Sequence, residues 1–317
     1  MNKRGMIYTV VVLIFFAVML NVFYTHEVYS FGEKQDAIEI RISTMNDFIK
    51  DLDKDAERAA YIAGFRSLIA LEEYISSKGE FVSDIDASFR EAFYNGSIGN
   101  YSPTILDQSS FSVYLARVNE KSEEIDIQLS VVVKDVNLYQ ETPWIVKVEV
   151  ITAINITDRK GLANWVYNDT FTSLIPIIGF RNPLFSVNTL GRLHSFVAAV
   201  PSNMTEFVIN NQTDNLLELI AEGYYVESTQ APSFIMRFEG NLSNDTNGIE
   251  ALVDIEFLEK QEDITIDYDR SLVDYIYFGN QSTTNVCTVQ NMPAWFKIDD
   301  NHLNDYEINE LTYVACP

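Results

Sequence analysis

From Met6 to Tyr24 the chain places no charged residue. As a helix this run would span roughly 28 Å, about one bilayer core. Beyond it the pattern changes rather than ends. Ile38, Ile42, Met45, Ile49, Leu52, Ala56, Ala59 and Ala63 recur at alternating intervals of four and three, with Glu39, Arg41, Asp47, Lys50, Asp51 and Asp55 between them. That spacing predicts a long amphipathic helix with a heptad seam. From Ala63 the run becomes broadly apolar, with Phe65, Leu68, Leu71 and Ile75, as expected where a helix enters a core. Lys78-Gly79 should end it, and Gly32 and Gly64 are the expected points of bending. The seam begins before any strand has been made, so it packs either on this chain's own head or on neighbouring subunits.

A second helix is expected at about Ser83 to Tyr94, stopped by Asn95-Gly96. The period then falls to two. Ile125, Ile127, Leu129, Val131 and Val133 alternate with polar positions, as do Val146, Val148, Val150, Thr152 and Ile154, so both stretches predict half-buried strands. "DRKG" at Asp158 to Gly161 should turn the second strand into "LANWVYNDTFTSLI" as an antiparallel hairpin. "FSVYLARV", Phe111 to Val118, is expected to add a strand to this meander. Ile175 to Thr189 reads as an ordered loop. Further on, "FIMRFEG", "LVDIEFLE", "DITIDYD" and "VDYIYFG" are strand candidates and "NLLELIAEGYY" a short helix.

The expected fold is α+β: a long N-terminal helix, transmembrane in its first part and amphipathic in its second, followed by an antiparallel β-rich extracellular head. Its divisions are a cytoplasmic basic leader at 1–5, a membrane segment at 6–24, a stem at 25–78, a head at 79–200, and a second β-rich portion with a C-terminal disulfide loop at 201–317.

Charge orients this plan. Lys3 and Arg4 precede the apolar run, so the positive-inside tendency keeps the N-terminus in the cytoplasm. No small-x-small box follows the run; Asn21, Tyr24, Thr25 and His26 stand there instead. That leaves a signal anchor or a leader cut on the near side. The chain's 317 residues carry 22 Lys and Arg against 46 Asp and Glu, a formal charge of -24. Such a surface disfavours nucleic acid as a partner.

Asn-x-Ser/Thr sequons at Asn95, Asn155, Asn168, Asn203, Asn211, Asn241, Asn244 and Asn280 agree with an exported, glycosylated surface, while proline weakens the one at Asn100. The two cysteines, Cys287 and Cys316, are expected to pair, since a zinc site would need two further ligands.

Candidate chemistry is sparse. The three histidines, His26, His194 and His302, lie in no nucleophile or zinc motif, and there is no GxSxG, HExxH, Walker A or GxGxxG. Asp299, Asp300, Asn301, His302 and Asp305 form the densest polar cluster, but they do not match the twelve-residue calcium loop. A solvated, capped turn inside the disulfide loop is the expectation. "NLSNDTNG" reads as a glycan-bearing turn, and Asp267 with Asp269 as two neighbours on one strand face. No catalytic residue, metal ligand or cofactor is expected, and the protein is read as non-enzymatic.

Taken together, the basic stretch ending in Lys3-Arg4-Gly5, the immediate apolar run from Met6, the helix that turns amphipathic and the β-rich head with C-terminal cysteines resemble the type IV pilin class. The resemblance is to archaeal pilin-like and minor pilin or pseudopilin-like surface proteins, and Val10 stands where bacterial pilins carry a glutamate. It implies cleavage between Gly5 and Met6, and a mature helix that can leave the bilayer to pack with other pilin-like subunits. The expected function is a pilin-like cell-surface subunit, anchored and assembled through its N-terminal helix. The alternative is an unprocessed single-pass ectodomain that binds a ligand or partner at the surface.

Overall fold

In the computed structural model, residues 3–261, 264–279 and 285–316 are described, with only the backbone course given for residues 3–6 and 26–34. The apolar run and the seam fall on one α-helix, α1 (Lys3–Lys78), of 76 residues. It ends where expected, with Gly79 in the left-handed region at φ 67° donating its N–H to the Ile75 carbonyl at 2.8 Å. Within α1, Ile7–Thr25 is long and apolar enough to cross a membrane, with a mean hydropathy of 2.4 and none of its side chains buried.

The seam divides at Met45. Ile38 and Ile42 are 39% and 37% exposed, whereas Met45, Leu52, Ala56 and Ala63 are buried. Ala60 joins the buried row instead of Ala59. A straight helix at 3.6 residues per turn drifts off a strict seven-residue repeat, which accounts for the change of position.

At Gly64, an expected point of bending, the helix is continuous. A Cβ at Gly64 would stand 2.9 Å from Ile175 Cδ1 and 3.1 Å from Val148 Cγ2. The glycine therefore lets the helix lie close against the strands that carry those residues.

Three further elements complete the expected meander: β1 (Ile127–Thr142), β2 (Ile145–Asp158) and β3 (Asn164–Pro176), in the order β1-β2-β3. β2 shows the clearest period of two. Val146, Val148, Val150, Thr152, Ile154 and Ile156 are buried, and Asp158 closes the row on the same face. Between helix and sheet come α2 (Ile85–Asn95), capped by Asp84 accepting from Ala87 N–H, and α3 (Phe111–Glu124).

α3 is the stretch expected to add a strand. Phe111, Val113 and Leu115 fit an extended spacing, while Phe111, Tyr114 and Val118 fit a helical one, and the helix seats Phe111 against Phe93 with ring centroids 5.1 Å apart.

The chain forms two compact units. Residues 1–55, 119–130 and 154–167 make the first. Its polar anchor is Arg41, whose Nε lies 2.6 Å from Asp158 Oδ1 and whose Nη2 donates to the Asp126 carbonyl at 2.8 Å. Burial alone would push the Asp158 carboxyl up, but Arg41 and the N–H groups of Leu162 and Lys160 outweigh it and hold the group below its usual range.

Residues 56–118, 131–153 and 168–317 make the second unit. Past β3 it is less extended than expected. α4 (Pro183–Asn188) starts in the stretch read as a loop, with Asn182 Oδ1 accepting from Leu184 N–H. α5 (Asp214–Glu222) is the short helix expected there.

"FIMRFEG" is a 3-10 turn, Met236–Glu239, stopped by Gly240, where a Cβ would lie 2.7 Å from Phe81. "LVDIEFLE" becomes α6 (Ile255–Glu259), with Asp254 capping Phe257 N–H at 3.0 Å. "VDYIYFG" becomes α7 (Asp274–Tyr277), and "DITIDYD" is irregular where described. Short capping residues close these turns locally, which a reading by alternation alone does not register.

The remaining strands are short. β4 (Tyr225–Glu227) pairs antiparallel with β5 (Ile249–Ala251), with Val226 opposite Glu250. β6 (Val286–Val289) pairs with both β7 (Lys297–Asp299) and β8 (Val314–Ala315). Thr288 stands opposite Ala315, which brings Cys287 beside Cys316. The two form the disulfide, Cα to Cα 4.1 Å.

Candidate functional site

The second unit encloses two adjoining groups of charged side chains, where the sequence reading places a solvated turn and a series of strands. The first centres on Arg237 and Asp274, both fully buried and 2.5 Å apart from Nη1 to Oδ2. Arg237 Nη2 also donates to the Ile249 carbonyl. Asp274 accepts from Asn182 Nδ2 at 2.9 Å and from the Tyr275 N–H at 2.8 Å. Asn182 reaches the Tyr225 hydroxyl at 2.8 Å, and Ser195 reaches the same hydroxyl at 2.9 Å. Burial, then the Asp274 charge, pushes the Tyr225 phenol upward, so it stays neutral. The pair is hydrogen-bonded from both sides, as buried charge requires, although Arg237 Nε has no partner among the described residues.

The second group centres on His302, which is 2% exposed in the 3-10 turn Asp300–His302 after β7. Its Nδ1 lies 2.7 Å from Asp299 Oδ1, and its Nε2 lies 2.9 Å from the Tyr275 hydroxyl and 3.5 Å from Glu250 Oε2. Ser271 Oγ donates to the other Asp299 oxygen at 2.6 Å. Burial would lower the His302 pKa, yet Asp299 and Glu250 outweigh it and the group is pushed up to about 10. Burial also raises the Asp299 carboxyl, but the bonds from His302 and Ser271 reverse this and hold it low. The Tyr306 phenol is driven well up, by burial first and by the Glu250 charge next.

Glu250 is the member without support. It lies fully buried on β5, and neither carboxylate oxygen accepts a hydrogen bond among the described residues; nor is the Tyr306 hydroxyl bonded. Glu250, His302 and the exposed Asp305 each place a ligand-type atom within 4.8 Å of the others, a set able to hold a metal ion. Asp305 also lines a cavity of about 310 Å³ with Glu227, Ser228 and Gln230.

The polar cluster singled out in the sequence is thus split. Asp299 and His302 face inward, while Asp300, Asn301 and Asp305 are exposed. Asp267 and Asp269 do not share a strand face. Asp267 accepts from the Asp269 N–H at 3.0 Å and pairs with Arg270 at 3.4 Å. His194 borders a separate cavity of about 310 Å³ with Phe185, Leu193, Leu252, Phe257 and Leu258. Its Nδ1 is buried with no partner among the described residues, and burial followed by the Arg181 charge lowers its pKa.

Asn95, Asn155, Asn168, Asn203, Asn241 and Asn244 are exposed. Asn211 is half-buried, and its Oδ1 accepts from Thr312 N–H at 2.9 Å. Asn280 lies outside the described residues, and only the backbone course is described for Gly5, Met6 and His26.

Arg237, Asp274 and Glu250 were not candidates in the sequence. Their signal was a single charge set in an apolar stretch, as in "FIMRF" and "LVDYIYF". Comparison with protein-family models, curated proteins and solved structures gives no match for this chain.

Proposed function

We propose that this protein is a non-enzymatic, pilin-like subunit of the cell surface, anchored by Ile7–Thr25 and able to assemble through the exposed part of α1. The observation that carries the reading is the uncharged, wholly exposed segment in a helix that runs on to Ile38, Ile40 and Ile42, whose side chains are also exposed. Apolar surface of this kind is covered by lipid in one state and by neighbouring helices in another. The acidic remainder, with its exposed sequons, suits the outside of the cell. Mass spectrometry of the native protein tests this directly: a mature chain starting at Met6 supports it, and a start at Met1 or Asn2 overturns the processed form.

A second reading, an unprocessed single-pass ectodomain, is favoured by one fact. From Met45 onward the seam is already covered within the chain. Cysteines placed at positions 38 and 42 separate the two readings. Disulfide-linked multimers in native membranes support assembly, and strictly monomeric protein supports the tethered ectodomain.

A further inference from the structure

Glu250 is a fully buried carboxyl that no hydrogen bond satisfies among the described residues. Neither oxygen accepts a hydrogen bond among the described residues, and the nearest ionic neighbour is His302 Nε2 at 3.5 Å. By contrast, the nearby Asp274 and Asp299 each accept from at least two donors. A buried carboxylate left without donors is strongly unfavourable, so this one faces a place suited to positive charge.

We propose that Glu250, His302 and Asp305 bind a divalent transition ion of the Zn²⁺ or Co²⁺ type, through one oxygen of each carboxylate and His302 Nε2. The ligand atoms already lie within 4.8 Å of one another. The 3.5 Å separation of Glu250 Oε2 and His302 Nε2 is close to the edge, about 3.4 Å, of a tetrahedron with bonds of about 2.0–2.1 Å. The exposed Asp305 swings in by side-chain rotation.

The ion takes the place of the proton on Nε2, and the Tyr275 hydroxyl turns aside. Asp299 is already in position to orient the ring, since a ligating imidazole commonly gives its other N–H to a carboxylate. Water completes the coordination from the cavity that Asp305 lines. The donor set selects the ion: an imidazole with two carboxylates suits zinc or cobalt, whereas calcium and magnesium prefer oxygen alone. The ion would tie β5 to the loop closed by Cys287 and Cys316.

This inference does not depend on the membrane reading, and its test leaves the N-terminus untouched. The full chain in detergent, stripped with a chelator, is titrated with Zn²⁺ and with Co²⁺ by calorimetry. One ion per chain is expected, with a Kd at or below about 10 µM. Asp305→Asn should weaken binding at least about tenfold and Glu250→Gln more strongly, with circular dichroism unchanged.

Asp305 is exposed, so its variant keeps the test decisive even where Glu250→Gln fails to fold. Absent binding overturns the site. So does equal affinity in wild type and Asp305→Asn, which would mean adventitious surface carboxylates. Displacement of the ion by Ca²⁺ at equal concentration overturns the choice of metal class.

Discussion

Gly64 stands where a side chain would strike Ile175: an added Cβ would come within 2.9 Å of the Cδ1 methyl, and within 3.1 Å of Val148 Cγ2. Two effects oppose each other. Replacing glycine by alanine in a helix gains about 1 kcal/mol, while forcing extra carbon into a packed core costs about 1–3 kcal/mol. Gly64→Ala should therefore be close to neutral, because the Ile175 methyl is a movable end. Gly64→Val should destabilise by about 1–3 kcal/mol, since it adds bulk and gains less helix propensity. Urea denaturation of both variants checks this, and a fully stable valine variant would refute the close approach.

Breaking the Arg237–Asp274 pair should be costly in one direction and less so in two. Arg237→Met leaves Asp274 buried with a net charge, and should destabilise by about 3–5 kcal/mol. Adding Asp274→Asn removes that charge, so the double variant should lose less than the sum of the singles. A double-mutant cycle measures the coupling, and strict additivity would show that the two side chains do not act as a pair.

Glu72 predicts a pH dependence of the opposite sign to most carboxylates. Burial pushes it from 4.5 up to about 8, only partly offset by the Arg181 N–H at 2.7 Å and the Arg181 charge. The folded protein thus holds a proton that the unfolded chain releases. Stability contributed by this group is present in acid and falls as pH rises between about 4.5 and about 8, by at most about 1.4 kcal/mol per pH unit. Glu72→Gln keeps an acceptor for Arg181 and should remove that slope. Denaturation midpoints at about pH 5 and about pH 8 provide the comparison; an unchanged slope in the variant would exclude Glu72 as its source.

Removal of the Cys287–Cys316 bridge, by reduction or by paired serine substitution, should cost about 3–4 kcal/mol for a loop of 29 residues. Amide exchange should rise first at Val314 and Ala315, whose strand pairs with β6 alone among the described residues. Protection there that survives reduction would mean the strand is held by its hydrogen bonds alone.

Much of the first half of the chain was legible because its pattern is long and of one period. α1, the β2 row from Val146 to Ile156, and the turn after Asp158 follow from spacing alone. Phe111 to Val118 was not, because its apolar positions fit both periods and only the contact with Phe93 decides between them. Beyond Asn182 the elements are a few residues long, and side-chain caps at Asn182 and Asp254 set their limits more than any repeat does.

The buried charges were the least legible part. Glu250, Asp274 and His302 lie on separate short elements, and no local pattern tells that they converge. His302 looked like part of a solvated turn because its neighbours Asp300 and Asn301 are indeed exposed.

The position of His302 late in the chain also bears on biosynthesis. Glu250 is made well before it, and at about 5–20 residues per second the interval is roughly 3–10 seconds. During that time the carboxylate has neither its imidazole neighbour nor the loop that Cys316 will close. Burial of Glu250 beside His302 therefore follows synthesis of the segment from Val286 to Cys316.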